Sequence, residues 1–319
     1  MVIIVCFTFT KVYLCSMASL SFLQLLVHPT LKTPLYFHEQ SNTLSDEFHQ
    51  DSFPFKEGVP ILLPPTTKPS ESNTSSDTFE PFDYKAHYQL DAAVYDYTEI
   101  SKNTIELAEI NRLHQQILHQ IPLAAEWILD VGCGGAWLAK MLTPKGRKVI
   151  SMDISDINPI RAKKTIPHPS HEALVADVFA LPFAANSIDC IVASEIIEHV
   201  PDPKAFVHAL FQVLKPGGKL IITTPYNELI RTSLCIHCNK ETPHNAHLHS
   251  FTEAKICNLF PTDNFPFIRI FNSKLLVKMG IQSAFRFLPL WLYQIIEQPI
   301  IYLTGKRAYR LIATQTKKG

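Results

Sequence analysis

The segment Asp130-Val131-Gly132-Cys133-Gly134-Gly135-Ala136 follows the apolar run Trp127-Ile128-Leu129 and leads into a helical pattern at Trp137. Glycines at a strand-to-helix bend let the backbone approach a ligand closely, and the helix N-terminal amides face it. That is the chemistry of a nucleotide-type ligand site. NAD is disfavoured, because Trp137 stands where the dinucleotide fingerprint needs a third glycine. Asp153 closes the next apolar run, 19 residues after Gly134, and an acid there is placed to accept from ribose hydroxyls. Glu195, Glu198 and His199 follow the run Ile188-Asp189-Cys190-Ile191-Val192 and offer a base with an orienting partner. On a helix starting near Glu195 they would instead cap or pack. Further along, Cys235-Ile236-His237-Cys238 precedes His244, His247 and His249. Those donors suit zinc, although the spacing is not that of a standard finger.

These groups need strands to carry them. From Phe79 onward, apolar runs of strand length alternate with helix-like stretches, the form of a parallel sheet covered by helices. Ile110, Leu113, Ile117, Leu118 and Ile121 recur at helical spacing, and Pro122 ends that helix before the first strand. Buried strands are expected at Trp127-Leu129, Val149-Ile150, Ala173-Val175, Ile188-Val192 and Lys219-Thr223, with two terminal antiparallel strands over 265–271 and 308–316. The fold class is α/β.

Asp130-Val131-Gly132-Cys133-Gly134 resembles the D-x-G-x-G motif of class I S-adenosylmethionine-dependent methyltransferases. Three later segments agree in order: Asp153 at the second strand, Ala176-Asp177-Val178-Phe179-Ala180-Leu181-Pro182-Phe183 at the third, and Ser194-Glu195-Ile196-Ile197-Glu198-His199-Val200 at the fourth. The resemblance covers about residues 79–319, and the string from Glu195 to Pro203 further resembles the small-molecule O-methyltransferases of quinone biosynthesis and the broad methyltransferase group around them. It implies a Rossmann-like seven-stranded sheet, mostly parallel with the last strand antiparallel, and S-adenosyl-L-methionine as cofactor. It assigns the cofactor to Asp130, Gly132, Cys133, Gly134, Asp153, Ile154, Asp177, Val178 and Ser194, with Asp177 accepting from the adenine amine. Glu195 and His199 become the catalytic candidates. Ala136 departs from the family, many of whose members have glycine there. The motifs require no metal. Within this family His247 to Thr252 leads into a substrate-side helix, and the cysteines are ordinary buried thiols.

The expected reaction is methyl transfer to a small acceptor, on oxygen. Two other readings are a catalytically silent binding module and a metal-dependent regulator built on Cys235, Cys238, His247 and His249. The 319 residues carry 46% apolar and 18% charged side chains, far from the composition of disordered chains. Lys plus Arg and Asp plus Glu are 29 each, so no basic field exists to gather nucleic acid. Seven scattered cysteines point to a reducing compartment, the cytoplasm, rather than a secreted disulfide scaffold.

Residues 1–16 are too short for a membrane span and a poor signal peptide, and Met17 is an alternative start. Residues 17–64 resemble a zinc-ribbon family that activates methyltransferases, its ligand positions falling on His28, Leu31, Asp46 and His49. Leu31 has no lone pair to give, so a metal-free relic is expected. A Pro/Ser/Thr-rich linker spans 65–78, with a chance sequon at Asn73. Within the methyltransferase-like region, about 279–304 form an apolar helical insertion in which Pro289, Glu297 and Pro299 argue against a span. It completes the core or closes over the acceptor, in preference to a peripheral contact with a membrane or protein near Lys306 and Arg307.

Overall fold

The strands form where the apolar runs lie, because a parallel strand covered on both faces must be apolar throughout. In this computed structural model, residues 18–47, 51–64, 82–99, 101–236, 239–261 and 264–319 are described. The 1–16 segment, the linker with its sequon, His49 and Cys238 lie outside them.

The N-terminal segment holds a short helix α1 (Leu20–Leu23) and strands β1 (Tyr36–His38), β2 (Thr43–Ser45), β3 (Ser52–Lys56) and β4 (Val59–Leu62). Helices α2 (Tyr84–Val94) and α3 (Thr104–Gln120) then lead into β5 (Trp127–Val131), α4 (Trp137–Leu142), β6 (Lys148–Asp153), α5 (Ile157–Thr165), β7 (His171–Ala176), β8 (Ile188–Ser194), α6 (Pro203–Val213) and β9 (Leu214–Pro225). A hairpin of β10 (Thr232–Leu234) and β11 (Glu241–Pro243) and helix α7 (Glu253–Cys257) precede β12 (Phe267–Ser273). Helices α8 (Lys274–Lys278), α9 (Ile281–Ala284) and α10 (Leu290–Leu303) make the insertion, and β13 (Ala308–Thr316) closes the chain.

Helix α3 starts where Asn103 accepts the Ile105 amide, buries Leu113 and Ile117, and stops before Pro122. Strands β5, β6 and β7 are buried almost end to end, as the uninterrupted apolar runs require. The sheet runs β1-β2-β3-β4-β7-β6-β5-β8-β9-β13-β12. Strands β7, β6, β5, β8 and β9 are mutually parallel, and β13 runs antiparallel to both β9 and β12. These are the seven expected strands.

The sheet is larger than expected by four strands, all from the N-terminal segment. β4 pairs in parallel with β7 (Ile61 opposite Val175, Leu62 opposite Ala176), and β1–β3 continue as an antiparallel meander. The edge that β7 would have presented is thereby covered. The ribbon's first ligand position, His28, is fully buried and held by hydrogen bonds. Its Nδ1 accepts the Thr30 and Leu31 amides at 3.2 and 3.1 Å, and its Nε2–H donates to Asp51 at 2.9 Å. Leu31 points outward, 56% exposed. After β8 the helix-start alternative is not taken: Glu195 has a left-handed backbone (φ 58°) and residues 197–199 form a turn. In the insertion, Pro299 sits inside α10, and no helix among the described residues is long and apolar enough to cross a membrane.

Candidate active site

The carboxyl ends of β5, β6, β7 and β8 lie side by side, which is where open α/β sheets bind ligands. Asp130 is the fourth residue of β5, registered against Ser151 of β6, and is buried. Its Oδ2 has no hydrogen-bond partner, and burial together with the neighbouring charge of Asp153 pushes its carboxyl up to about 8. An orphaned, buried carboxylate oxygen asks for a cationic or hydrogen-bonding guest.

The bend beyond β5 is drawn over β6 by the Cys133 amide, which donates to the Met152 carbonyl at 3.0 Å. Gly132 sits at φ 67°, where a Cβ would lie 2.2 Å from the Ile196 side chain. At Gly135 a Cβ would lie 2.2 Å from the Tyr97 carbonyl oxygen. The Ile196 side chain and the Tyr97 backbone therefore close on this turn from two sides. Ala136, the departure from glycine, holds a left-handed conformation (φ 52°) and is fully buried. Burial also pushes the Cys133 thiol up, so it is an inert neutral side chain.

Asp153 ends β6 with its carboxylate already oriented. Oδ1 accepts the Ser155 amide and Oδ2 the Asn158 amide nitrogen, both at 3.1 Å. Burial raises its carboxyl despite these bonds. Asp177 follows β7, and its Oδ1 accepts the Phe179 amide at 3.0 Å. Its Oδ2 is engaged by the Tyr84 hydroxyl at 2.6 Å and the Lys85 ammonium at 2.9 Å, both from α2. Ile154, Val178 and Ser194 line the same strand ends, partly exposed. Helix α2 is thus tied to the cradle through Asp177.

The far side of the cradle is the 195–200 turn. Glu195 Oε2 accepts from Arg310 Nε of β13 at 2.8 Å, while Oε1 is buried and unpartnered. Burial raises the Glu195 carboxyl, and Arg310 opposes that. Glu198 is buried, with Oε2 accepting from the Thr224 hydroxyl at 3.0 Å. His199 donates from Nδ1 to the Ala246 carbonyl at 3.3 Å and meets the Tyr88 ring of α2 edge-on at 5.8 Å. Burial and His247 push the His199 imidazole down to about 4, so it is neutral at pH 7 with its Nε2 lone pair available.

The Cys/His loop is arranged differently from the expected metal set. His249 Nε2–H donates to the Val200 carbonyl at 3.0 Å, whereas His247 turns toward His199, ring centroids 4.8 Å apart. Among the described residues, neither histidine is grouped with Cys235 as a set of metal-ligating side chains. His247 to Thr252 does lead into α7, whose N-cap is Thr252. Sequence reasoning missed Arg310 and also Glu228, whose Oε2 accepts from His247 Nδ1 at 2.6 Å. Each is far from its partner in the chain, and only the H-x-H spacing at 247–249 hinted that one of the pair turns inward.

A glycine bend after the central strand, acids at two neighbouring strand tips and an antiparallel seventh strand define a class I S-adenosylmethionine-dependent methyltransferase domain, and this chain carries one. Residues 129–222 match a family described as a methyltransferase domain. The chain is 39% identical over 115 residues to the mitochondrial ubiquinone biosynthesis O-methyltransferase of Bos taurus, covering 32% of this chain and 30% of that protein. It is 38% identical over 125 residues to the ubiquinone biosynthesis O-methyltransferase of Nitrosococcus oceani, covering 37% and 52%. The match thus spans about a third to a half of these curated relatives. Among solved structures, the 1,6-didemethyltoxoflavin-N1-methyltransferase of Burkholderia thailandensis is similar at 15% identity and TM-score 0.48, covering 77% of this chain and 94% of that one.

Proposed function

We propose that this chain transfers a methyl group from S-adenosylmethionine to a hydroxyl oxygen of a small acceptor in the cytoplasm. The observation that carries this reading is the unpartnered, buried Asp130 oxygen beside Asp153, facing the glycine bend. The matched relatives, named as O-methyltransferases, support oxygen as the acceptor atom.

The cofactor supplies an electrophilic methyl on a sulfonium. Asp130 takes its ammonium, Asp153 its ribose hydroxyls, and Asp177 its adenine amine, which must share or displace the Tyr84 and Lys85 contacts. Gly132, Cys133 and Gly134 admit it along the backbone, and Ile154, Val178 and Ser194 line its flanks. Holding the acceptor in line can lower the barrier by about 7–11 kcal/mol. The O–C bond forms as the S–C bond breaks, the hydroxyl proton is lost, and a neutral thioether leaves. Glu195 and His199 stand on the acceptor side, where that proton must go. The apolar insertion 279–304 borders the fold and suits an acceptor with apolar bulk.

Two measurements test this reading. Calorimetric titration with S-adenosylhomocysteine should give one saturable site, and labelled S-adenosylmethionine should transfer label to members of a panel of small phenols and alcohols. Binding with no label transferred across the panel would leave a binding module in place of an enzyme. Absence of binding would remove the cradle.

A pH dependence follows from Asp130. In the free protein its carboxyl is largely protonated below about 8, whereas the bound ammonium favours the carboxylate. Binding at pH 7 should therefore release close to one proton, and affinity should rise by up to about tenfold per pH unit below 8. Titrations in buffers of different ionisation enthalpy count that proton. Asp130→Asn should abolish its release, and an unchanged proton count in that variant would contradict the assignment.

A further inference from the structure

Helix α10 is buried along one face only. Tyr293, Glu297 and Ile301 recur every four residues and pack inward. Glu297 Oε1 accepts the Ser273 amide at 2.9 Å and the Tyr293 hydroxyl at 3.0 Å, which ties the helix to the end of β12. Arg112 of α3 lies over the Tyr293 ring at 4.1 Å and donates to the Leu288 carbonyl at 3.1 Å, so the turn before the helix is fixed as well. The fold holds α10 by this face.

The outward face is left bare. Trp291, Ile295, Pro299 and Tyr302, at spacings of four, four and three, share it. Trp291 and Ile295 are each 62% exposed, Tyr302 58%, and the neighbouring Leu303 87%. The same insertion also exposes Leu275, Met279 and Phe287. A row of large apolar side chains facing water marks an interaction surface. Charge narrows what it meets. Over 274–307 the only acid is Glu297, and it is turned inward. Lys278, Arg286, Lys306 and Arg307 are exposed, and Lys274 is half-buried. Lys306 is paired with Glu253 at 2.9 Å, whereas none of the other four is in an ion pair with a described residue.

We infer that the insertion docks this protein on an anionic lipid surface, with Trp291, Ile295, Tyr302 and Leu303 entering the headgroup boundary and Lys278, Arg286 and Arg307 meeting lipid phosphates. Two physical arguments select this occupant. A second copy laid face to face would bring its own cations against these, and like charges across an interface oppose pairing, whereas an anionic bilayer complements them. Trp and Tyr combine an apolar ring with a polar edge, which suits the boundary between acyl chains and water. The contact is peripheral, since no helix among the described residues is long and apolar enough to cross a membrane. The insertion joins the carboxyl end of β12 to the start of β13 and lies outside the 129–222 segment that matches the methyltransferase family. Docking therefore belongs to this chain's own insertion and does not depend on the methyl-transfer reading.

The test sediments the full chain with vesicles, of phosphatidylcholine alone in one arm and of phosphatidylcholine with phosphatidylglycerol at about 2:1 in the other. Binding to the anionic vesicles should be at least about tenfold tighter and should fall with added salt, because each cation close to such a surface contributes about fivefold. Trp291 supplies a second readout. Trp127 lies in one apolar cluster and Trp137 packs against another, so a blue shift of tryptophan emission on vesicle addition should vanish in Trp291→Phe while sedimentation persists. The double variant Ile295→Gln, Leu303→Gln should weaken sedimentation by at least about tenfold, and the triple variant Lys278→Gln, Arg286→Gln, Arg307→Gln by about 100-fold. Both should melt within about 2 °C of the wild type, since exposed substitutions barely change stability. No sedimentation with anionic vesicles, equal binding to the two vesicle types, or binding undiminished in either set of variants would overturn the inference. So would a wild-type dimer in sedimentation velocity that Ile295→Gln, Leu303→Gln dissociates, because the bare face would then belong to a second copy.

Discussion

Asp153→Ala is expected to weaken S-adenosylhomocysteine binding by about two orders of magnitude. A carboxylate accepting from two ribose hydroxyls makes two charge-assisted hydrogen bonds, each worth about 1.5–3 kcal/mol, and a net loss of about 3 kcal/mol is roughly 100-fold in affinity. The carboxylate is held ready for this by the Ser155 amide and the Asn158 side chain, one on each oxygen, so little ordering remains to be done on binding. The same bonds predict a cost to the fold. Alanine strands both donors in a buried place, which costs about 1–3 kcal/mol. Asp153→Asn keeps one acceptor oxygen and should lose only about tenfold in affinity. Calorimetry gives the affinities and thermal unfolding the stability. If Asp153→Ala binds within threefold of the wild type, ribose is not held at the tip of β6 and the cradle has been read wrongly.

The central strands were legible because their burial on both faces leaves apolar runs that need no partner to be recognised. The glycine bend and the acids at the strand tips were legible for a related reason: a turn that must admit a ligand restricts residue type locally. The acceptor side was not. Glu195 adopts a left-handed backbone that its side chain does not announce, so a helix start there stayed an open alternative to a turn. Its partner Arg310 lies on β13, and the partner of Asp177 on α2. Such pairs arise from where strands land in the sheet, and no local pattern records them. His247 was grouped with Cys235 and Cys238 because they are near in sequence. The fold turns it instead toward a histidine 48 positions earlier.

The N-terminal segment is where a modular reading and the packing disagree most, and removing residues 1–64 is expected to abolish a soluble, folded product. Phe22, Leu26, Leu44, Phe53 and Leu62 are buried in the same apolar cluster as Trp127, Leu129 and Phe183. The rings of Phe22 and Trp127 lie 6.3 Å apart. Burying a large apolar side chain is worth about 1.5–3 kcal/mol, so five of them contribute on the order of the whole net stability of a domain, about 5–15 kcal/mol. Backbone ties reinforce the contact: the Val27 amide donates to the Pro182 carbonyl and the Ala184 amide to the Leu25 carbonyl, both at 3.0 Å. Truncation would also bare the β7 edge, an open template for aggregation. A milder variant reads the same coupling without deleting anything. Phe22→Ala should cost about 3–5 kcal/mol and lower the midpoint of one cooperative transition, since the side chain belongs to the common core. Thermal unfolding of the full chain, the truncated chain and Phe22→Ala distinguishes the cases. A truncated chain that stays soluble and melts within about 3 °C of the full chain would make residues 18–64 a separable appendage, and the apolar contacts across β4 and β7 would then contribute far less than their burial implies.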